Sequence, residues 1–262
     1  MDVTEYNRNA WNLQSLEGCR WSTPYSSDVF LKVKKGGDWE VVLTPNEAVP
    51  SSWFPSYPDL GGMDLLALAC GGGQQAPTFA AAGAVVTSFD NSDIQLEKDE
   101  QTCAEIDLSV ETVQGDMADL SVFEEESFDL IFNPVSNVFC KDLAPIWKEC
   151  HRVLRPGGRL LSGFMNPDFF LFDHYEAEET RELIVKYKLP YCDLDSLDEE
   201  TLSAQLEAQV SLEFGHSWED QIGGQCKAGF AIHGFYEDNW DDESSVLNQW
   251  MNVFGATLAI KG

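Results

Sequence analysis

Between residues 64 and 164, short apolar runs alternate with stretches of helical pattern. This alternation is typical of β-α-β units, which build a parallel sheet with helices on its faces. The apolar runs predict five strands, at 65–69, 84–89, 111–114, 128–132 and 159–164. The stretches between them predict an Ala-rich helix through residue 82 and helices at about 92–104 and 147–154.

The sequence before this region predicts a separate layer. We expect residues 1–63 to form an N-terminal extension, or lid, that packs on a core domain at 64–262. Within the extension, a polar helix is predicted near 5–16. A β-hairpin is predicted with strands at 29–33 and 39–43, because a Lys-Gly-Gly-Asp turn separates two apolar runs.

The sequence after this region completes the sheet. An acidic insert at about 165–214 predicts helices at 176–187 and 198–209. The tail predicts a helix at 218–228 and strands at 230–235 and 254–260. The predicted fold class is therefore α/β: a Rossmann-like, doubly wound sheet of seven strands, mostly parallel, with an antiparallel last strand.

The charge balance narrows the class of partner. The 262 residues include 16 Lys and Arg against 45 Asp and Glu, a formal net charge of −29. Such a chain repels polyphosphates, which argues against DNA or RNA as a partner. No run reaches the roughly 18 apolar residues of a membrane-spanning helix, and the first residues lack a signal-peptide pattern. We expect a small-molecule partner, and neither nucleic acid nor membrane.

The cysteines and histidines predict neither disulfides nor a metal site. Seven cysteines are scattered without a C-x-x-C pair, which is typical of reduced thiols in a cytoplasmic protein. The four histidines have no metal-ligand spacing, so no metal is expected.

A run of three glycines follows the first predicted strand, in the segment LACGGGQQ at 68–75. Glycines allow a tight turn and close approach to a ligand, and they leave N–H groups facing outward at the helix start. A nicotinamide-binding fingerprint would need glycines at 69, 71 and 74, and only Gly71 fits. A phosphate loop would need a lysine, and none lies between Lys35 and Lys98. The loop therefore suits a nucleoside with a zwitterionic or cationic tail, and a nicotinamide-dependent oxidoreductase is disfavoured.

Two acids end the next two strands. Asp90 lies 17 residues after Gly73 (90 − 73), where nucleotide-binding units commonly have an acid that accepts hydrogen bonds from ribose. The alternative is that Asp90 caps the following helix. Asp116 can accept a hydrogen bond from an exocyclic amine, with Met117 packed on an aromatic base, or it can be a solvated loop acid.

These motifs together resemble the class I S-adenosylmethionine-dependent methyltransferases, particularly their small-molecule, type-11-like branch. The resemblance is carried, in order, by LALACGGG at 66–73, Asp90, GDM at 115–117, FDLIF at 128–132 and LRPGG at 154–158. Residues 216–261 fit the end of that fold more loosely. Segments around Trp11, Trp21 and 215–225 resemble a prokaryotic subgroup of the family.

The resemblance implies S-adenosylmethionine as the cofactor. Ala69, Gly71 and Gly73 would line its methionine part, Asp90 would hold the ribose, and Asn133 would face the amino-acid tail and the acceptor. The full set of implied cofactor contacts is Ala69, Cys70, Gly71, Gly73, Gln74, Asp90, Asn91, Asp116, Met117 and Asn133. The chain departs from the family at Ala67, where an acid is usual, and at Ala69, where a glycine is usual.

Methyl transfer by in-line displacement needs alignment and removal of water more than it needs a sequence signature. A general base is required only for an acceptor that carries a proton, and the catalytic group is left open. His216 is one candidate, because Glu219 and Asp220 could raise its pKa, although a histidine in a turn is commonly structural. Asn133 is another, since NPVS at 133–136 resembles the Asn-Pro-Pro-aromatic motif of enzymes that methylate nucleic-acid amines. The third and fourth positions differ, and the net charge argues against that substrate.

The tryptophans of the extension have two interpretations. Trp11 and Trp21, which are flanked by polar residues, are candidates for a lid over an acceptor pocket at the carboxyl edge of the sheet. The alternative is that the extension's aromatic residues form its own core. Two functions remain in view: methyl transfer to a small molecule, or a non-catalytic module of the same fold that binds S-adenosylmethionine or a nucleoside.

Overall fold

A computed structural model describes residues 1–241 and 245–262. The strands are β1 (Asp64–Leu68), β2 (Val85–Asp90), β3 (Glu111–Gln114), β4 (Phe128–Asn133), β5 (Leu154–Met165), β6 (Tyr191–Cys192), β7 (Phe214–Gly215), β8 (Phe230–Asp238) and β9 (Phe254–Lys261). The helices are α1 (Val3–Leu16), α2 (Ser27–Lys34), α3 (Gln75–Ala81), α4 (Asp93–Glu105), α5 (Ala144–Val153), α6 (His174–Thr180), α7 (Asp193–Ser196), α8 (Glu199–Glu207) and α9 (Gly224–Ala228). None of the helices in these ranges has the length and apolarity to cross a membrane.

Seven strands form one sheet in the order β3-β2-β1-β4-β5-β9-β8. The pairs from β3 to β5 are parallel, and β9 runs antiparallel to both of its neighbours. The predicted Rossmann-like sheet with an antiparallel last strand is confirmed. The chain order reverses between β1 and β4, which opens a crevice at their carboxyl ends where such sheets bind ligands.

The central strand β1 explains why the sheet has two apolar faces. Leu65 and Ala67 belong to one buried cluster, together with Phe79 of α3. Leu66 belongs to the other cluster, together with Trp147 of α5. Because successive strand residues point to opposite faces, a strand with helices on both sides reads as a continuous apolar run. That run is the signal that made β1 predictable.

The β-hairpin predicted in the extension is wrong. Residues 27–34 form α2, in which Phe30 and Val33 are buried whereas Val29 and Leu31 are exposed. Burial therefore repeats every three residues, as on a helix face, and not every two as in a strand. Residues 39–43 belong to neither sheet, although alternate side chains of this segment are buried.

The segment 39–43 packs directly on the main sheet. Trp39, Val41 and Leu43 belong to the same buried cluster as β1. At Gly163 of β5, an added Cβ would overlap the main-chain carbonyl of Leu43. The glycine in β5 therefore allows the extension to approach the sheet backbone.

The insert contains less helix than predicted. The helix expected over 176–187 is only α6, which ends where Arg181 adopts a left-handed conformation with φ 60°. The helix expected at 198–209 is present as α8. In the tail, the helix expected at 218–228 begins with a π turn at Glu219–Gly223 and continues as α9. The insert also holds the small β6–β7 pair, which was not predicted.

Candidate active site

A cavity of about 700 Å³ lies at the carboxyl ends of β1, β2 and β4. The predicted strand tips at Gly71, Asp90 and Asp116 all line it. Eight of the ten implied cofactor contacts are in its wall: Ala69, Cys70, Gly71, Gln74, Asp90, Asn91, Asp116 and Met117. Gly73 and Asn133 are not among the residues that line the cavity.

The loop after β1 has a strained start. Ala69 has a φ of +50°, and its N–H donates a hydrogen bond to the Phe89 carbonyl at 2.7 Å. This left-handed conformation costs an ordinary residue about 1–2 kcal/mol, which explains why the family usually has glycine there. The next residue, Cys70, is buried, and its pKa lies well above the ordinary value because of burial. Its thiol is therefore protonated and is not a nucleophile.

Gly73 lies beneath the loop. Its φ is +82°, and an added Cβ would approach Pro24 Cγ and Thr102 Oγ1 at 2.7 Å each. Its N–H donates to Asp99 Oδ1 at 2.7 Å. Gly73 therefore shapes the loop, and its place beside the methionine part stays a prediction.

Asp99 holds the glycine-rich loop beneath the cavity, a role that the sequence analysis missed. It is fully buried, and its second carboxyl oxygen accepts a hydrogen bond from Ser88 Oγ at 2.7 Å. Burial raises the pKa of Asp99 to about 7. The available signal was its place on α4, because Gln95 and Thr102 on the same face are also buried. An acid on an inward helix face requires a buried partner.

Asp90 is free of the alternative role as a helix cap. The cap of α4 is Ser92, whose Oγ accepts a hydrogen bond from the Gln95 N–H at 3.1 Å. The Asp90 carboxyl group accepts from the N–H groups of Gly71 at 3.1 Å and Ser92 at 2.9 Å. Each carboxyl oxygen retains capacity for a second donor. Burial raises the pKa of Asp90 to about 6.

The helix α1 covers the polar residues at the ends of β2 and β3. Thr4 Oγ1 donates to Asp116 Oδ2 at 2.9 Å, and the main-chain oxygen of Thr4 accepts from Asn91 Nδ2 at 2.8 Å. Arg8 Nε donates to Asn91 Oδ1 at 2.9 Å. Asp116 is therefore not a solvated loop acid.

The two lid candidates lie at the cavity. Trp11 and Trp21 both line it, so neither belongs wholly to a separate core of the extension. The Trp11 ring meets Phe139 edge-on, with centroids 5.0 Å apart. The Trp21 ring carries the Arg20 guanidinium 4.3 Å from its centroid and lies 6.2 Å from Trp240.

Asn133 is buried beneath the cavity wall. Its Nδ2 donates to the Leu68 carbonyl at 3.1 Å and to Ser136 Oγ at 2.8 Å, and its Oδ1 accepts from Ser162 Oγ at 3.1 Å. These bonds join β4 to β1 and β5 and occupy the amide group. The structure therefore does not place Asn133 against the cofactor tail or an acceptor.

His216 is also absent from the cavity wall. Its Nε2 is 2.7 Å from the Cys140 carbonyl and 3.1 Å from the Asn137 carbonyl, so this nitrogen is the donor. Burial lowers the pKa of His216, contrary to the expectation that neighbouring acids would raise it. Asp220 instead accepts a hydrogen bond from Ser217 Oγ at 2.6 Å. The histidine holds its own segment against the loop after β4.

A further part of the cavity lies beside the ends of β4, β5 and β9, and we call it the acceptor half. Met165, Phe169, Trp240 and Phe254 give it an apolar and aromatic wall. Its polar residues come largely from the insert, and sequence reasoning missed them. His174 is one of these: its ring stacks on Phe169 with centroids 3.8 Å apart, and burial lowers its pKa to about 4, so it is neutral at pH 7.

The charges on the cavity wall are of one sign. Among the described residues that line it there is no lysine or arginine, whereas the carboxyl groups are those of Glu17, Asp90, Asp116, Glu178 and Glu213. No group of three His, Cys, Asp or Glu side chains within 1–241 and 245–262 is arranged to hold a metal ion. The wall suits a ligand that is neutral or positively charged.

Comparison with known proteins identifies the family of the chain. Residues 66–162 match the family model described as a methyltransferase domain. The fold and the cavity, with this match, define a class I S-adenosylmethionine-dependent methyltransferase. The protein named "Uncharacterized methyltransferase YbaJ" from Bacillus subtilis (strain 168) is 44% identical over 259 residues, which cover 99% of this chain and 98% of that protein. The chain therefore belongs to this methyltransferase family.

Two further relatives share part of the chain or its fold. The ubiquinone biosynthesis O-methyltransferase of Pseudomonas syringae pv. tomato (strain ATCC BAA-871 / DC3000) is 29% identical over 135 residues, 51% of this chain and 58% of that protein. The crystal structure of an S-adenosylmethionine dependent methyltransferase from Mesorhizobium loti superposes with a TM-score of 0.56. It is 18% identical and covers 80% of this chain and 94% of that chain. This second likeness shows the fold alone.

Proposed function

We propose that the protein transfers the methyl group of S-adenosylmethionine to a small, neutral or cationic molecule by in-line displacement. The observation that carries the proposal is a single cavity lined both by residues predicted to bind the cofactor and by the apolar and aromatic residues of the acceptor half. No lysine or arginine is among its described wall residues. The bound cofactor supplies a methyl group on an already activated sulfonium. The protein's part is therefore alignment of the acceptor and removal of water.

The described residues fit this cofactor. Asp90 has unused acceptor capacity for the ribose hydroxyl groups, and Asp116 has the same capacity for the adenine amine. Met117 supplies an apolar surface beside them. The carboxyl groups of the wall favour the positive charge of a sulfonium.

The acceptor is proposed to be small because α1 and the extension cover the crevice. The cation-free wall, together with the net charge of −29, argues against phosphate-rich acceptors and nucleic acids. We likewise propose no membrane partner. All seven cysteines are free thiols, which favours a reducing, cytoplasmic location.

The first test is calorimetric binding of S-adenosylhomocysteine to the wild-type protein and to Asp90→Ala. Loss of charge-assisted hydrogen bonds to ribose should weaken binding about a hundredfold. Asp93→Ala is the matched control, because this neighbouring acid is not among the residues that line the cavity. Equal affinity in wild type and Asp90→Ala would contradict the assignment of Asp90 to the ribose.

The second test separates an enzyme from a binding module. The protein is incubated with radiolabelled S-adenosylmethionine and a cell lysate that has been divided into fractions below and above about 1 kDa. We expect label in the small-molecule fraction. Label in the macromolecular fraction alone would contradict the proposed acceptor class, and binding without any transfer would favour the non-catalytic module.

A further inference from the structure

Glu213 is a carboxyl group in the cavity without a described partner. It lines the cavity wall and is partly buried. Among the described residues, its main-chain N–H donates to Asp193 Oδ2 at 2.7 Å, but no hydrogen bond or ion pair engages its side chain. Buried or half-buried carboxyl groups are ordinarily paired. The mechanism above leaves this one unused.

The segment that carries Glu213 is held by α1 and by the loop at 137–140. Asn7 Nδ2 donates to the carbonyls of Leu212 at 3.1 Å and Phe139 at 3.0 Å, and His216 bonds to the loop at 137–140 on the other side of Glu213. That loop follows β4, and β4 pairs with β1. Glu213 is therefore fixed at the cavity wall, beside α1 and the loop that follows β4.

The surroundings of Glu213 favour its protonated form at neutral pH. Burial, with a smaller contribution from the charge of Asp193, raises the pKa of Glu213 to about 8. Asp193 is itself occupied, since it accepts from Tyr191 Oη at 2.7 Å and Gln205 Nε2 at 2.8 Å. The elements around Glu213 also carry the ionisable residues Tyr6 and Arg8 of α1, Tyr191 and Cys192 of β6, and His216. The Arg8 guanidinium hydrogen-bonds to Asn91 Oδ1 at 2.9 Å.

We propose that Glu213 is the catalytic base: it accepts the proton of the acceptor atom that becomes methylated, so the acceptor carries a nucleophilic N–H or O–H group. The acceptor atom bonds to the methyl carbon while the bond from that carbon to sulfur breaks, and the sulfur keeps that electron pair. The proton of the acceptor atom moves to the Glu213 carboxylate and later to solvent. A carboxyl group whose pKa lies near neutrality is suited to this exchange. The inference rests on the proposed function.

A binding experiment tests this assignment without knowledge of the acceptor. Sinefungin carries an amine where S-adenosylmethionine carries its sulfonium methyl, whereas S-adenosylhomocysteine carries neither. If Glu213 faces the transferred methyl group, the ammonium of sinefungin should pair with its carboxylate. The measured quantity is the ratio of the two dissociation constants, obtained by calorimetry at pH 8.5.

In Glu213→Gln, the preference for sinefungin should fall by roughly 10- to 100-fold, while affinity for S-adenosylhomocysteine changes less than about threefold. The matched control is Glu207→Gln, which removes the same charge from an exposed position of the insert. An unchanged preference in Glu213→Gln would overturn the inference and leave the proposed function standing. Failure of the wild type to bind S-adenosylhomocysteine would instead overturn the proposed function.

The wild-type protein provides a second measurement that does not depend on folding of the variant. As pH rises from 6 to 8.5, Glu213 ionises, and the preference for sinefungin should increase by up to about tenfold per pH unit. A preference that is constant across this range would overturn the inference.

Discussion

Asp99 joins the glycine-rich loop to the sheet through one side chain. Its two carboxyl oxygens accept from the Gly73 N–H and from Ser88 of β2. Sequence reasoning found Asp90 and Asp116 because acids at strand ends have a recognised chemistry. It could not find Asp99 or the buried role of Asn133, because their partners come from other elements and are set only by tertiary packing.

Two substitutions of Asp99 should show whether its hydrogen bonds or its charge contribute to the stability of the fold. At pH 6, where Asp99 is largely protonated, Asp99→Ala should lower the free energy of unfolding by about 1–3 kcal/mol, because the Gly73 N–H loses its partner. Asp99→Asn retains an acceptor and should stay within about 1 kcal/mol of wild type. Chemical denaturation measures both. Equal stability of Asp99→Ala and wild type would contradict this role.

At the scale of elements, the strands that are buried on both faces of the sheet were the ones that the sequence predicted most clearly. Strands β1, β2, β4 and β5 were found because they are largely buried on both faces, which leaves apolar runs in the sequence, whereas β3 is a short edge strand without a buried residue. The extension was misread at 29–33, where a mixture of buried and exposed apolar residues fits either a helix or a strand. The two-residue strands β6 and β7 are too short to show any periodicity. The sequence therefore could not predict that the insert supplies polar residues to the cavity wall.

The contact between the extension and β5 gives a prediction at this scale. Gly163→Ala should destabilise the protein by about 1–3 kcal/mol, since the new methyl group meets the Leu43 carbonyl, which cannot turn away without moving the segment 39–43. Gly223→Ala is the control, because its Cβ would lie 3.5 Å from the nearest atom, Glu219 Cγ. Limited proteolysis should cut the extension faster in Gly163→Ala. Identical cleavage of the two variants would argue against this packing.

For the whole molecule, buried acids make stability depend on pH. The pKa values of Asp99 and Glu213 are raised to about 7 and about 8. Between the ordinary carboxyl pKa and these values the folded protein binds more protons than the unfolded chain, so stability falls as pH rises. The buried His174 and His216 have lowered pKa values and act in the opposite direction, but only below about pH 6.5.

We therefore expect the free energy of unfolding of the ligand-free protein to fall by on the order of 2 kcal/mol from pH 6.5 to pH 8.5. Urea denaturation across this range measures the slope. The double variant Asp99→Asn, Glu213→Gln lacks both titrating groups and should show a much flatter dependence. Stability that rises with pH in the wild type would contradict the assignment of raised pKa values.

The carboxylate wall around the cavity, which has no lysine or arginine among its described residues, also bears on selectivity. Under the proposed function, a polyanionic metabolite would enter the acceptor half at an electrostatic cost, because no lysine or arginine among the described wall residues would receive its charge. Repulsion would therefore contribute to discrimination against such acceptors. The shape of the apolar wall formed by Met165, Phe169, Trp240 and Phe254 would then distinguish among neutral and basic compounds.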